Sequence, residues 1–110
     1  TIYGDGEQTR DFTYVADVVA ANLACLDAPA EAAGGVYNVA YGDRISVNDL
    51  ARRIAALAGQ PFAPTYAPAR PGDVRESQAD SSLARRVLGW QPKGDFAAGL
   101  RVTYDWFKPR

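Results

Sequence analysis

The sequence predicts an α/β fold, and three observations carry that expectation. Short runs of β-branched and aromatic residues alternate with helical patterns along the chain. The helix that Asp17 opens is apolar on nearly every face, the pattern of a helix buried on several sides. The run Gly35 to Tyr41 is apolar on both faces, as an interior strand of a parallel sheet is. Parallel strands are joined by crossovers of about a dozen residues or more, and no parallel neighbour for that run can be read in the chain. Its partner strands are therefore expected from sequence beyond these residues or from another chain.

The elements follow in order. Thr1 to Val15 reads as two short strands around a tight turn, with Gly4-Asp5-Gly6 supplying residues that tolerate positive φ. Asp17 then places a carboxylate where the helix dipole favours it. Val15, Val19, Leu23 and Leu26 fall at helical spacing, and Cys25, inside this pattern, is expected as a small buried hydrophobe. Pro29 and Gly34-Gly35 end the helix. After the Gly35–Tyr41 strand, closed by Gly42-Asp43, Ser46-Val47-Asn48-Asp49 has the form of a capping box. The helix behind it puts Val47, Leu50, Ile54 and Leu57 on one face and Arg52 and Arg53 opposite, and Gly59 caps its end. Residues 60–78 carry Pro61, Pro64, Pro68 and Pro71 and read as extended or irregular, with a short strand near Thr65–Ala67. Asp80 or Ser81 caps a short helix through Leu88, stopped by Gly89. Asp95 caps a last helix, with Phe96, Leu100, Tyr104 and Phe107 at helical spacing, that ends at Pro109.

Composition narrows the functions. The 110 residues are 47% apolar and 23% charged, which excludes an intrinsically disordered chain. No apolar run approaches the roughly 18–20 residues of a membrane span, so no membrane partner is expected. Twelve basic residues against thirteen acidic argue against nucleic acid as a partner. A single cysteine excludes an internal disulfide and leaves the cytoplasm as the expected compartment. The absence of histidine excludes imidazole acid–base chemistry within the chain, and no metal-ligand constellation is visible. No Gly-x-Gly-x-x-Gly and no P-loop occurs. The chain begins at Thr1 and contains no methionine, so a processed product or a piece of a longer polypeptide is expected. Abundant Ala and a preference for Arg over Lys fit a GC-rich bacterial genome.

Two loops carry the polar signal. Arg70-Pro71-Gly72-Asp73 lies in a Pro/Gly segment of the kind that often bears function. Arg10 lies just before the apolar helix. Two arginines converging on one pocket would suit a diphosphate, because guanidinium binds phosphate in a bidentate, charge-assisted way. On spacing alone the alternative stays open that Arg10 pairs with a local carboxylate and Arg70 is solvated.

At these residues the sequence resembles a known family. The run Ile2-Tyr3-Gly4-Asp5-Gly6-Glu7-Gln8-Thr9-Arg10-Asp11-Phe12-Thr13-Tyr14-Val15-Ala16-Asp17-Val18 resembles the extended short-chain dehydrogenase/reductases, and among them the NAD-dependent nucleotide-sugar epimerases and dehydratases. Tyr37-Asn38-Val39, Arg70-Pro71-Gly72-Asp73-Val74-Arg75, and Ala84 to Trp90 with Pro92 and Gly99-Leu100 follow in the family's order. The resemblance covers nearly the whole chain. It implies the C-terminal part of an extended Rossmann-type enzyme: residues 16–42 at the edge of the dinucleotide-binding sheet, and 1–15 and 43–110 in a small α/β substrate-binding domain. It further implies that Arg10 and Arg70 reach the diphosphate of a UDP-sugar, that Asp73 accepts hydrogen bonds from the ribose, and that the backbone around Tyr3 meets the uracil. The small Ser77 would leave room beside the hexose for a 2-acetamido group.

The family's Gly-rich loop and Tyr-x-x-x-Lys pair are absent. Tyr104 and Lys108 have the spacing but fall in a helix the family uses structurally. No catalytic, cofactor-binding or metal residue is therefore assigned in this chain, which is expected to be inactive alone and to bind no cofactor alone. The resemblance implies a parent enzyme that interconverts the C4 configuration of a UDP-hexose, with NAD transiently oxidising C4 and returning the hydride to the opposite face. A 4,6-dehydratase or a UDP-glucuronate decarboxylase on the same scaffold is the enzymatic alternative. A stand-alone nucleotide-sugar-binding or interaction module is the alternative from another class. Its exposed apolar surface would make it a homo-oligomer.

Overall fold

A computed structural model describes residues 1–108. Its strands are short: β1 (Ile2–Tyr3), β2 (Thr9–Arg10), β3 (Ile45–Ser46) and β4 (Tyr66–Ala67). Its helices are α1 (Val15–Leu26), α2 (Val47–Leu57), α3 (Ser82–Leu88) and α4 (Phe96–Phe107), with a single 3₁₀ turn at Ala30–Ala32. The chain is α/β, as the sequence predicts. The anticipated end of α4 at Pro109 lies outside the described residues.

The expected hairpin does not form. β1 and β2 flank a turn, and Gly4 and Gly6 in it do adopt positive φ, but the strands take distant partners. β1 pairs in parallel with β4, Ile2 opposite Tyr66 and Tyr3 opposite Ala67. β2 pairs antiparallel with β3, Thr9 opposite Ser46 and Arg10 opposite Ile45. The five residues between Tyr3 and Thr9 swing the chain out of one sheet and into the other. The Gly35–Tyr41 run likewise joins no sheet among the described residues. A strand needs a neighbour's ladder of N–H and C=O groups, and both described sheets lie elsewhere.

α2 and α4 form where their caps direct. The Ser46 hydroxyl accepts from Asp49 N at 3.1 Å and the Asp95 carboxylate from Ala98 N at 3.2 Å, satisfying backbone donors that a helix start leaves open. α1 departs from expectation in its cover. Ala21 packs with Ala84 and Trp90 in the small core between α1 and α3. The rest of its apolar surface is open, with Val15 65% and Leu26 80% exposed, and Cys25 is exposed rather than buried. Apolar residues all round record what a helix is suited to pack against. They do not place that cover within these residues. Asp17 does more than favour the dipole: it is buried, its Oδ1 accepts from Lys93 N and its carbonyl from the Trp90 indole, each at 2.9 Å. These bonds fasten the start of α1 to the segment between α3 and α4.

Candidate functional site

Parallel pairing of β1 with β4 brings two chain segments out at one end. Gly4 N donates to Ala67 O at 2.9 Å, and the chains leave side by side as Gly4-Asp5 and Ala69-Arg70. A turn follows in which Asp73 N donates to Arg70 O at 3.1 Å. Pro71 sets φ at its second position, and Gly72, at φ +79°, occupies the third, where a type II turn needs positive φ. The turn sends the chain back across β2, where Thr9 N donates to Arg75 O at 2.9 Å and Ser77 N to Thr9 O at 3.2 Å.

These segments enclose a cavity of about 240 Å³ lined by Tyr3, Asp5, Gln8, Arg70, Asp73 and Arg75 among others. The Arg70 guanidinium stacks on the Tyr3 ring, 3.9 Å from its centroid, a favourable cation–π placement. Arg10 reaches Asp73 from behind. One guanidinium nitrogen is ion-paired with the Asp73 carboxylate and the other donates to Val74 O and Thr9 O, both at 2.7 Å. Of the five residues the sequence singles out, Tyr3, Arg70 and Asp73 thus share one cavity, and Arg10 is joined to it through Asp73. Ser77 lies outside the lining, against the Thr9 backbone.

Three lining residues escaped sequence reasoning. Gln8 is buried, and its Nε2 donates to Tyr3 O at 2.7 Å and to Asp73 Oδ2 at 3.4 Å, tying the two loops together. Arg75 donates to both Asp5 carboxylate oxygens, at 2.7 and 2.8 Å. That hydrogen bond, with a second from Glu7 N, holds the Asp5 carboxyl below the usual carboxylate range, and the Asp5 carboxylate raises Arg75. Gly-Asp-Gly and Arg-Pro-Gly-Asp mark both loops as turns, but no local signal shows that they face each other.

The charges balance unevenly. Arg10 cancels Asp73 and Arg75 cancels Asp5. Among the described residues Arg70 forms no ion pair, so it remains as the site's uncompensated positive charge. That arrangement suits an anion carrying a planar or ring group, since the cation and an aromatic face occupy the same wall.

Elsewhere the chemistry is thinner. A larger cavity, about 420 Å³, opens beside Gly42, Asp80 and Arg85 and holds none of the five residues. Among the described residues no group of three or more His, Cys, Asp or Glu is placed for a metal ion, and no helix is long and apolar enough to cross a membrane. Lys108 Nζ sits 4.9 Å from the Tyr104 ring and 2.9 Å from Asp105 Oδ1, at the exposed end of α4 and remote from the cavity.

A family model described as GDP-mannose 4,6 dehydratase matches residues 1–103. The chain is 42% identical to a UDP-glucose 4-epimerase of Mycolicibacterium smegmatis, over 97% of this chain and 34% of that protein. It superposes with a TM-score of 0.89, at 40% identity, on the crystal structure of UDP-glucose 4-epimerase with UDP-glucose from Thermotoga maritima, covering 96% of this chain and 33% of the other. A UDP-glucuronic acid 4-epimerase from Bacillus cereus, solved with UDP-glucuronic acid and NAD, gives a TM-score of 0.88 at 30% identity, with 96% and 33% covered. The chain therefore spans about a third of the length of the relatives it matches.

Proposed function

The chain belongs to the family described as GDP-mannose 4,6 dehydratase, and on that premise we propose that it is the nucleotide-sugar-holding part of a UDP-hexose 4-epimerase. Residues 16–42 would lie at the edge of the dinucleotide-binding sheet, with 1–15 and 43–110 forming the substrate portion. The observation that carries this reading is the Arg70 guanidinium, without an ion-pair partner among the described residues, stacked on Tyr3 in the cavity that Asp73 also lines.

In this reading the uracil lies by the backbone around Tyr3, Asp73 accepts from the ribose hydroxyls, and Arg70 meets the diphosphate. Arg10 meets it from the β2 side, exchanging part of its bond to Asp73 for a phosphate oxygen. Ser77, exposed and small, leaves space for a 2-acetamido group on the hexose. Binding energy from the nucleotide then holds a remote reacting carbon in place. The described residues do not fit NAD itself. The Gly4-Asp5-Gly6 turn leads into β2 rather than into a helix N-terminus that could meet a pyrophosphate. The redox step accordingly lies outside these residues.

The test is an assay of the full-length enzyme carrying this sequence, with UDP-N-acetylglucosamine as substrate. Formation of UDP-N-acetylgalactosamine supports the epimerase reading; a 4-keto-6-deoxy product, or carbon dioxide from UDP-glucuronate, would replace it with the dehydratase or the decarboxylase. The open face of α1, where Val15, Val19, Leu23 and Leu26 are all exposed, favours a second reading in which the chain as it stands self-associates. Light scattering that finds only monomer at high concentration would remove it.

A further inference from the structure

We infer that the Asp5–Arg75 ion pair is the clasp that positions the 70–77 strap over the candidate site. Its consequence for ligand affinity rests on the nucleotide-sugar reading; the positioning concerns the unliganded protein.

Every residue from 68 to 78 is exposed, Val74 included, so no apolar side chain anchors the strap. What holds it is charge, a few backbone bonds and the amides of Gln8 and Gln78, which donate to Asp73 Oδ2 and Gly42 O. Asp73, Arg75 and Glu76 alternate in sign and meet Arg10, Asp5 and Arg44, each of opposite sign.

The three pairs are not equivalent. Arg10–Asp73 consists of residues that the reading above gives to the ligand, so an arriving anion competes with it. Arg44–Glu76 lies outside the cavity, with the Glu76 side chain 68% exposed. Asp5–Arg75 alone lines the cavity while using neither Arg70 nor Asp73, so a ligand that engages those two does not compete with it for either partner.

Asp5 is itself well fixed. Its Oδ1 accepts from Glu7 N and its carbonyl from the Nδ2 of buried Asn48, each at 2.9 Å. A continuous series of contacts thus runs from Asn48 in α2 through Asp5 and Arg75 to the strap that bears Arg70 and Asp73. Both groups are charged across the neutral range, and each moves the other's titration further from it. Asp5 and Arg75 are positioning residues in this scheme.

The test follows amide hydrogen exchange at Thr9 and Ser77, whose N–H groups bond across the strap, in the purified protein. Variants are Asp5→Asn, Arg75→Gln, the double variant and Arg75→Lys. An exposed pair is worth little, so each single variant should speed exchange by about two- to fivefold. The double variant should match the singles, because the interaction is lost once, and Arg75→Lys should recover most of the protection. UDP affinity follows the closed fraction of the strap, so it should weaken by no more than that factor. Unchanged exchange in the singles, or effects that add in the double variant, would overturn the inference. If UDP binds no variant and not the parent protein, the nucleotide reading fails while the exchange data still decide the clasp.

Discussion

Replacing Gly6 with Ala should cost about 3–4 kcal/mol of stability, and the structure supplies the parts of that figure. Gly6 has φ +77°, where an L-residue pays roughly 1–2 kcal/mol, partly offset by about 0.4–1 kcal/mol from a stiffer unfolded chain. A Cβ there would lie 2.0 Å from Asn48 Oδ1 and 2.4 Å from Asn48 Cγ. Asn48 cannot easily give way. It is 8% exposed, its Nδ2 donates to Asp5 O and Glu7 Oε1, its Oδ1 accepts from the Tyr66 hydroxyl, and its N–H is bonded to Gly6 O. Displacing it forfeits two or three bonds of about 1 kcal/mol each. The total is a large share of the 5–15 kcal/mol typical of a whole domain. Urea unfolding of the parent, Gly6→Ala, Asn48→Ala and the double variant measures it. With Asn48 truncated, the cost of Gly6→Ala should fall to about 1 kcal/mol, the φ contribution alone. A cost below about 1 kcal/mol in the parent background would refute the reasoning.

Other perturbations test other joints. Trp90→Phe removes the buried indole bond to Asp17 O and some packing, and should cost about 2 kcal/mol, read as a lower urea midpoint with an unchanged slope; an unmoved midpoint would mean the bond is replaced. Asp95→Ala removes the α4 cap bond and should cost about 1 kcal/mol, whereas Asp95→Asn should cost much less; equal effects would count against capping. Asp5, Asp80 and Asp105 titrate below the ordinary 3.8, owing first to Arg75, the Ser82 backbone N–H and Lys108 respectively. Their folded values are lowered, so their contribution is complete above the ordinary value and is lost as pH falls below it. Asp5→Asn should therefore shallow the acid limb of a melting-temperature profile, and added salt should do the same; an acid limb identical to the parent's would contradict this.

Elements governed by neighbours in sequence were readable in the sequence. α2 and α4 combine an oxygen-bearing cap with an apolar stripe, and both signals act within one or two helical turns. The short strands at the start of the chain and near Thr65–Ala67 were readable too, but their pairing was not. The Gly4–Gly6 turn is real, but Ile2 chooses Thr65 and Tyr66, more than sixty residues away, and nothing local announces that choice. The surface of α1 shows the other limit, since an apolar pattern states a need for cover without saying where the cover lies. The site divides along the same line. Arg70 and Asp73 stood out as members of a turn, whereas the Arg10–Asp73 pair, the Gln8 bridge and the Asp5–Arg75 clasp depend on the 70–77 strap crossing β2.

The central claim is that Arg70, which forms no ion pair among the described residues, is a cation of a nucleotide-sugar anchor. Calorimetric titration of the protein with UDP-N-acetylglucosamine, beside an Arg70→Ala variant, tests it most directly. Loss of a charge-assisted contact is worth about 1.5–3 kcal/mol, so the variant should bind about ten- to a hundredfold more weakly. Equal affinities, or no heat of binding in the parent protein, would contradict the account.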